Sequence, residues 1–179
     1  MKRFAIPLVM LAFGLGFGLL SARYMMENAS GAVPVSDSGW KEIRSDGQDV
    51  SSTYLAGHFL TRGQLPPPKG TRFYVRSEDD DGNSLRGDCL VTIEGVIPGA
   101  RWWFVSAASG DGRRAIDVSQ VVREASGETS LSLSTYPVPG NWMVPPGAGG
   151  YELQLVLLGM GEDAGGIPPA LPRVKRLWC

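Results

Sequence analysis

The chain has 179 residues, with 17 Lys or Arg against 18 Asp or Glu and a single His. That length fits one ordinary domain plus a short extension, and the near balance of charge excludes a long-range field for nucleic acid or an acidic substrate. Gly (24) and Pro (13) make up about a fifth of the sequence, which leans the composition towards short strands punctuated by turns.

In chain order the first element is "MKRFAIPLVMLAFGLGFGLLSAR", two cations followed by uncharged and mostly apolar residues from Phe4 to Ala22. A helix of about 19 such residues measures roughly 28 Å, close to the hydrocarbon thickness of a bilayer. The alternative is a cleaved secretory signal, whose apolar part is usually shorter and ends in a small-x-small site. Here "LSA" puts Leu20 where a small residue is wanted. Residues 1–22 are therefore read as a membrane anchor, with the signal peptide as the other reading. Lys2 and Arg3 outweigh Arg23, so the positive-inside rule leaves the N-terminus in the cytoplasm and exports the rest. Gly14 and Gly18 have small-xxx-small spacing, but Gly-rich apolar spans match it by chance and it is not read as a dimerisation signal.

Residues 23–48, "RYMMENASGAVPVSDSGWKEIRSDGQ", mix Ser, Gly, Asp and Pro without sustained periodicity, as a linker does. The domain is expected from 49 to 179. It starts with "DVSSTYLAGHFLTRG", where Asp49 is an N-cap candidate, Val50, Tyr54, Leu55 and Phe59 are apolar, and Gly63 is a stop signal. One short helix before the sheet fits.

From Thr71 the period becomes two. "TRFYVRSE" and "CLVTIEGV" flank the turn signal "DDDGN" and are expected to pair as a hairpin. "ARWWFVSAAS" with its Asp111-Gly112 turn, "SLSLSTY" and "YELQLVLLG" continue the alternation. At least five strands, short and separated by turns, describe an all-β fold, either an antiparallel β-sandwich or a partly closed barrel. In "GNWMVPPGAGGYELQLVLLG", Pro145, Pro146 and Gly147 cannot extend a central ladder and are read as a corner. Trp142 is placed to cover the open end of the sandwich, and the Asn141 side chain to bond the exposed backbone of the corner.

"DDDGNSLRGDC", "PGARWWFVS", "PGNWMVPPGAGGYELQLVL" and the tail "PPALPRVKRLWC", in that order, resemble the domain of unknown function 1214 family, in particular its short, membrane-anchored bacterial members. The resemblance covers roughly residues 50–179 and is most specific at the Asn-Trp segment and the strand after it. It implies a sandwich of jelly-roll type, often encoded beside or fused to a domain of unknown function 1254, and no established activity. The family usually carries an Arg and, two residues on, a Tyr where this chain has Val156 and Leu158. With the anchor, the resemblance implies a single-pass protein of the bacterial inner membrane with its C-terminal domain in the periplasm.

No motif nominates catalytic residues. "SEDDDGNSLRGD" sets Ser77, Asp79, Asp81, Gly82 and Asp88 at calcium-loop positions, but the first lacks a carboxylate and the last is Asp rather than a bidentate Glu, and a solvated turn explains the same residues. His58 has no Cys or second His at ligand spacing, and no G-x-S-x-G elbow surrounds a Ser. No metal or cofactor is expected. Trp102 and Trp103 are adjacent and must point to opposite faces of a strand, so one is either covered by the helix or a loop or left exposed to anchor a partner or sugar ring.

Two functional readings follow. The preferred one is a non-catalytic binding or assembly module of the envelope, partnered by a protein carrying a domain of unknown function 1254. The other is a periplasmic enzyme or carrier for a sugar or lipid, with Trp103, Asp79, Asp81 and Arg101 as pocket candidates. Export to an oxidising compartment and the even count predict a Cys89–Cys179 disulfide tying down a terminus that would otherwise fray, with two free thiols as the alternative.

Overall fold

Alternating apolar and polar side chains give a strand one face that has to be buried. The computed structural model, which describes residues 2–28, 32–35, 38–43, 59–60, 70–160 and 170–179, buries those faces in two sheets. Helix α1 spans Lys2–Asn28. After it come β1 (Ala32–Pro34), β2 (Lys41–Ile43), β3 (Arg72–Arg76), β4 (Leu90–Gly95) and β5 (Trp102–Ser109). The remaining strands are β6 (Gly112–Asp117), β7 (Thr129–Leu133), β8 (Asn141–Met143), β9 (Glu152–Leu158) and β10 (Arg173–Trp178). The larger sheet has the order β1-β2-β3-β9-β5-β6 and the smaller β10-β4-β7-β8. One unit of the chain comprises residues 1–32 and 45–67; the other, 33–44 and 68–179, holds both sheets apart from the first residue of β1.

Register explains the core. Tyr74, Leu155 and Val105 stand opposite one another across β3, β9 and β5, as do Val174, Ile93 and Leu131 across β10, β4 and β7. All six belong to one apolar cluster, which makes the fold sandwich-like. The alternation expected in β9 holds, since Tyr151, Leu153, Leu155 and Leu157 all enter that cluster. On its other face Gln154 and Val156 are buried too, so this central strand is covered on both sides.

The hairpin expected between residues 71–78 and 89–96 does not form. β3 pairs with β2 and β9, β4 with β10 and β7, and the two lie in different sheets. The Asp-Gly turn itself exists, with Glu78 bridged to Ser84. Leu85 and Cys89 after it both enter the core, however, and burying them carries the chain across to the other sheet.

Residues 23–48 are more than a linker, because they supply β1 and β2. Three-residue strands are too short to show a period, so their signal is tertiary. Trp40, 1% exposed, donates Nε1 to the Pro172 carbonyl at 2.8 Å, and the Arg76 guanidinium lies over its ring. Arg76 is itself enclosed: it pairs with Asp80 at 2.7 Å and donates to the carbonyls of Ser38 (2.7 Å) and Glu78. Gly39 has a φ of 66°, and a Cβ there would lie 2.8 Å from that guanidinium.

The smaller sheet is not wholly antiparallel, since β8 pairs with β7 in parallel. The helix expected near 49–63, with His58, lies outside the described residues except for Phe59 and Leu60. The expected anchor coincides with α1, whose described side chains are those of Pro7 and residues 9–24; among the described residues no helix is long and apolar enough to cross a membrane. Cys89 and Cys179 are joined in a disulfide that closes a separation of 90 residues and ties the end of β10 to the start of β4.

Candidate functional site

The sandwich leaves an opening where β6 and β8, the free edges of the two sheets, approach each other. Residues 118–124 cross it, and Asn141 holds them there. Its Oδ1 accepts from Val122 N at 2.8 Å, and its Nδ2 donates to the carbonyls of Val122 (2.8 Å) and Ser130 (2.9 Å). One side-chain amide thus copies a strand partner for the crossing segment. Trp142, half-buried, donates Nε1 to the Ser134 carbonyl at 2.9 Å, which fixes the plane of its ring.

Between these elements lies a groove of about 760 Å³. Trp142, Ile116, Val122 and Pro139 give it an apolar wall; Arg123, Glu124, Ser130 and Ser132 are polar. The Arg123 guanidinium sits 5.6 Å from the ring centroid of Trp103, a cation–π distance that restricts a long side chain. A second depression of about 500 Å³ shares Glu124 and Ser130 and adds Glu94, Glu128 and Arg173. Glu94 is paired with Lys175 at 3.4 Å.

An aromatic ring, hydroxyls and unlike charges along an open trough suit recognition of an extended ligand. No histidine lines the groove, and Glu124 is the carboxylate in its wall beside Ser130 and Ser132. Among the described residues no group of three or more His, Cys, Asp or Glu is placed to hold a metal ion.

Asn141 and Trp142 meet in the groove. Trp103 is 2% exposed and packs in the core, reaching the site only through Arg123, while Trp102 is 43% exposed on the opposite face of β5. Asn141 bonds the crossing segment and β7 instead of the corner, because the corner is already held by others. Gly87 N donates to the Gly149 carbonyl at 3.0 Å and Tyr151 N to the Leu85 carbonyl at 3.1 Å. Gly87 and Gly147 approach so closely that a Cβ at Gly87 would overlap the Gly147 carbonyl oxygen. The kink is a corner, as its Pro and Gly residues imply, and it is locked by a glycine contact rather than by a capping side chain.

Asp79, Asp81, Arg101 and Trp103 do not line the groove. Asp79 is 4% exposed and organises its own turn: Oδ1 accepts from Asp81 N at 3.0 Å and Asn83 N at 2.7 Å, and Arg176 stands 3.7 Å away. Burial by itself would raise its pKa; the Asn83 and Asp81 donors and Arg176 outweigh burial and hold the carboxyl below the usual range. Asp88 is paired with Arg86 at 2.6 Å. Of the calcium-like positions, Asp79 is thus spent on its own backbone and Arg176, and Asp88 on Arg86.

Sequence reading missed Arg123, Glu124, Ser130 and Ser132. The two serines are the polar positions of "SLSLS" and were legible as an outward face. Arg123 carries no local signal, since its place depends on Asn141 reaching nineteen residues back.

No family model matches the chain, and no curated protein does. Solved structures do. An uncharacterised protein of Burkholderia cenocepacia aligns over 60% of this chain and 29% of its own at 16% identity, with a TM-score of 0.44. The VPA0106 protein of Vibrio parahaemolyticus aligns over 69% of this chain and 35% of its own at 12% identity, with a TM-score of 0.53. The chain therefore spans about a third of those longer proteins, and the second likeness is one of fold alone.

Proposed function

We propose that the chain is a membrane-tethered, non-catalytic binding module of the bacterial envelope, a short member of the domain of unknown function 1214 family with a sandwich of jelly-roll type. Its domain works in the periplasm, and the groove beside Trp142 receives an extended segment of another envelope protein, one carrying a domain of unknown function 1254. The observation that carries this reading is the groove, open and walled by a fixed aromatic ring.

Other features support it. Val122 (79% exposed), Tyr136 (69%) and Val144 (40%) present apolar surface on the loops flanking β8, as docking surfaces do. Val9, Met10, Leu11, Phe13, Leu15, Phe17, Leu19 and Leu20 of α1 are all exposed, and a helix apolar all round belongs in lipid or against a partner. A disulfide is the chemistry of an oxidising compartment.

The test is a photo-crosslinking residue in place of Val122, on the groove, and in place of Leu177, on β10, each in the full chain in bacterial membranes. One protein adduct of constant mass from position 122, absent from position 177, is expected. No adduct at 122, together with a sugar or lipid that co-purifies with the chain, would replace this reading by the carrier or enzyme.

A further inference from the structure

Of the two adjacent tryptophans on β5, Trp103 is enclosed and Trp102 is 43% exposed. Trp102 stands opposite the half-buried Leu158, at the end of the larger sheet where β5 begins. The loop of residues 96–101 that leads into it exposes Val96 (54%) and Arg101. Among the described residues no ion pair takes up the Arg101 guanidinium. Asp117, opposite Phe104 at the adjoining end of β6, already accepts from Ser119 N and Oγ. The same end receives the chain. Val35 N donates to the Trp40 carbonyl at 2.8 Å, which closes the neighbouring β1 and β2 as a hairpin. The β2–β3, β3–β9 and β9–β5 pairs are antiparallel as well, so β1 and β5 run the same way. The chain that arrives from α1 therefore enters the larger sheet at the end where Trp102 lies.

We propose that this end of the domain rests in the phospholipid headgroup layer of the membrane that holds α1, with the Trp102 indole at the headgroup–acyl boundary and Arg101 on lipid phosphate. The inference rests on the membrane-tethered reading above and adds the surface that meets the bilayer. Tryptophan is enriched at that boundary because its ring is apolar while its N–H stays wet. An arginine beside it lays its stem along the lipid and keeps its guanidinium among the phosphates. Chain length selects lipid over a soluble partner. Val33 in β1 follows Ala22, the expected end of the span, by eleven residues. Because α1 runs on to Asn28, the connection reaches about 26 Å at most, taking about 1.5 Å per helical residue and about 3.5 Å per extended one. That is about the length of β5 itself at about 3.4 Å per residue, so the end of the sheet that the tether joins stays by the bilayer. Trp102 does not line the groove, which leaves the groove open to its partner.

The test is tryptophan fluorescence of the purified full chain reconstituted in vesicles of phosphatidylethanolamine and phosphatidylglycerol, with and without lipids brominated high on the acyl chain. Bromine quenches an indole only at close range, so the wild-type emission should fall in the brominated vesicles. Trp102→Phe changes an exposed ring and spares the core, and it should lose most of that quenching. Trp178→Phe, at the end of β10, should keep it. A wild-type chain that floats with the vesicles and is not quenched overturns the proposal and leaves the tether standing, as does quenching that Trp102→Phe leaves intact. A chain that does not float with the vesicles overturns both. A photo-crosslinking residue at position 102 in bacterial membranes gives a second readout: lipid adducts are expected, and a protein adduct in their place overturns the proposal by making Trp102 a docking residue.

Discussion

Asp79 shows how a carboxylate that invites a metal or catalytic reading is used up by its own turn. Its depressed pKa means that its contribution is present above the unfolded value of about 3.9 and is lost as pH falls through the lower folded value. Urea unfolding at pH 7 should show Asp79→Asn less stable by about 1 to 3 kcal/mol, the range for bonds to a charged group. At about pH 2.5 that gap should narrow. An equal gap at both pH values would mean that the ionised form carries no advantage. The turn was legible from its Asp-Gly dipeptide, but the burial of Asp79 was not, because it comes from Arg176 and β10 far along the chain.

Among elements, the strands with clear alternation were readable: β9 and β7 sit where their period places them, and Trp102 and Trp103 divide between solvent and core as neighbours on a strand must. What local pattern could not give was pairing. Nothing in "TRFYVRSE" or "CLVTIEGV" says that they belong to different sheets; that follows from Leu85 and Cys89 needing the core. β1 and β2 escaped notice because their evidence is the enclosure of Trp40 and Arg76. At the groove, the element that matters is the segment held by Asn141. Asn141→Ala deletes two hydrogen bonds to it and one to Ser130 of β7, and should cost about 1 to 3 kcal/mol while raising amide exchange at Val122 ahead of the core strands. Exchange at Val122 that stays level with wild type would show that the loop is held by other contacts, and that Asn141 belongs to the groove for another reason.

At the scale of the whole molecule, the disulfide links the last residue to the start of β4 and so restrains β10, whose Val174 bonds Asp80 and which follows the Pro172 carbonyl that Trp40 bonds. Its 90-residue separation gives about 4 to 5 kcal/mol in the chain-entropy model. Replacing both cysteines by Ser should lower stability by a comparable amount, and a variant within about 1 kcal/mol of wild type would contradict that account. The pairing was readable from cysteine count and expected export alone. The groove was not, because it is made where two sheet edges meet. We propose that α1 holds this domain outside the cytoplasm, where a disulfide persists and an envelope partner is reached. The most direct measurement is the activity of alkaline phosphatase fused after Cys179 in intact bacteria, a reporter that matures only outside the cytoplasm. An active fusion, with its membrane association lost when residues 4–22 are deleted, is the predicted result; an inactive fusion beside a fluorescent cytoplasmic reporter at the same position would contradict it.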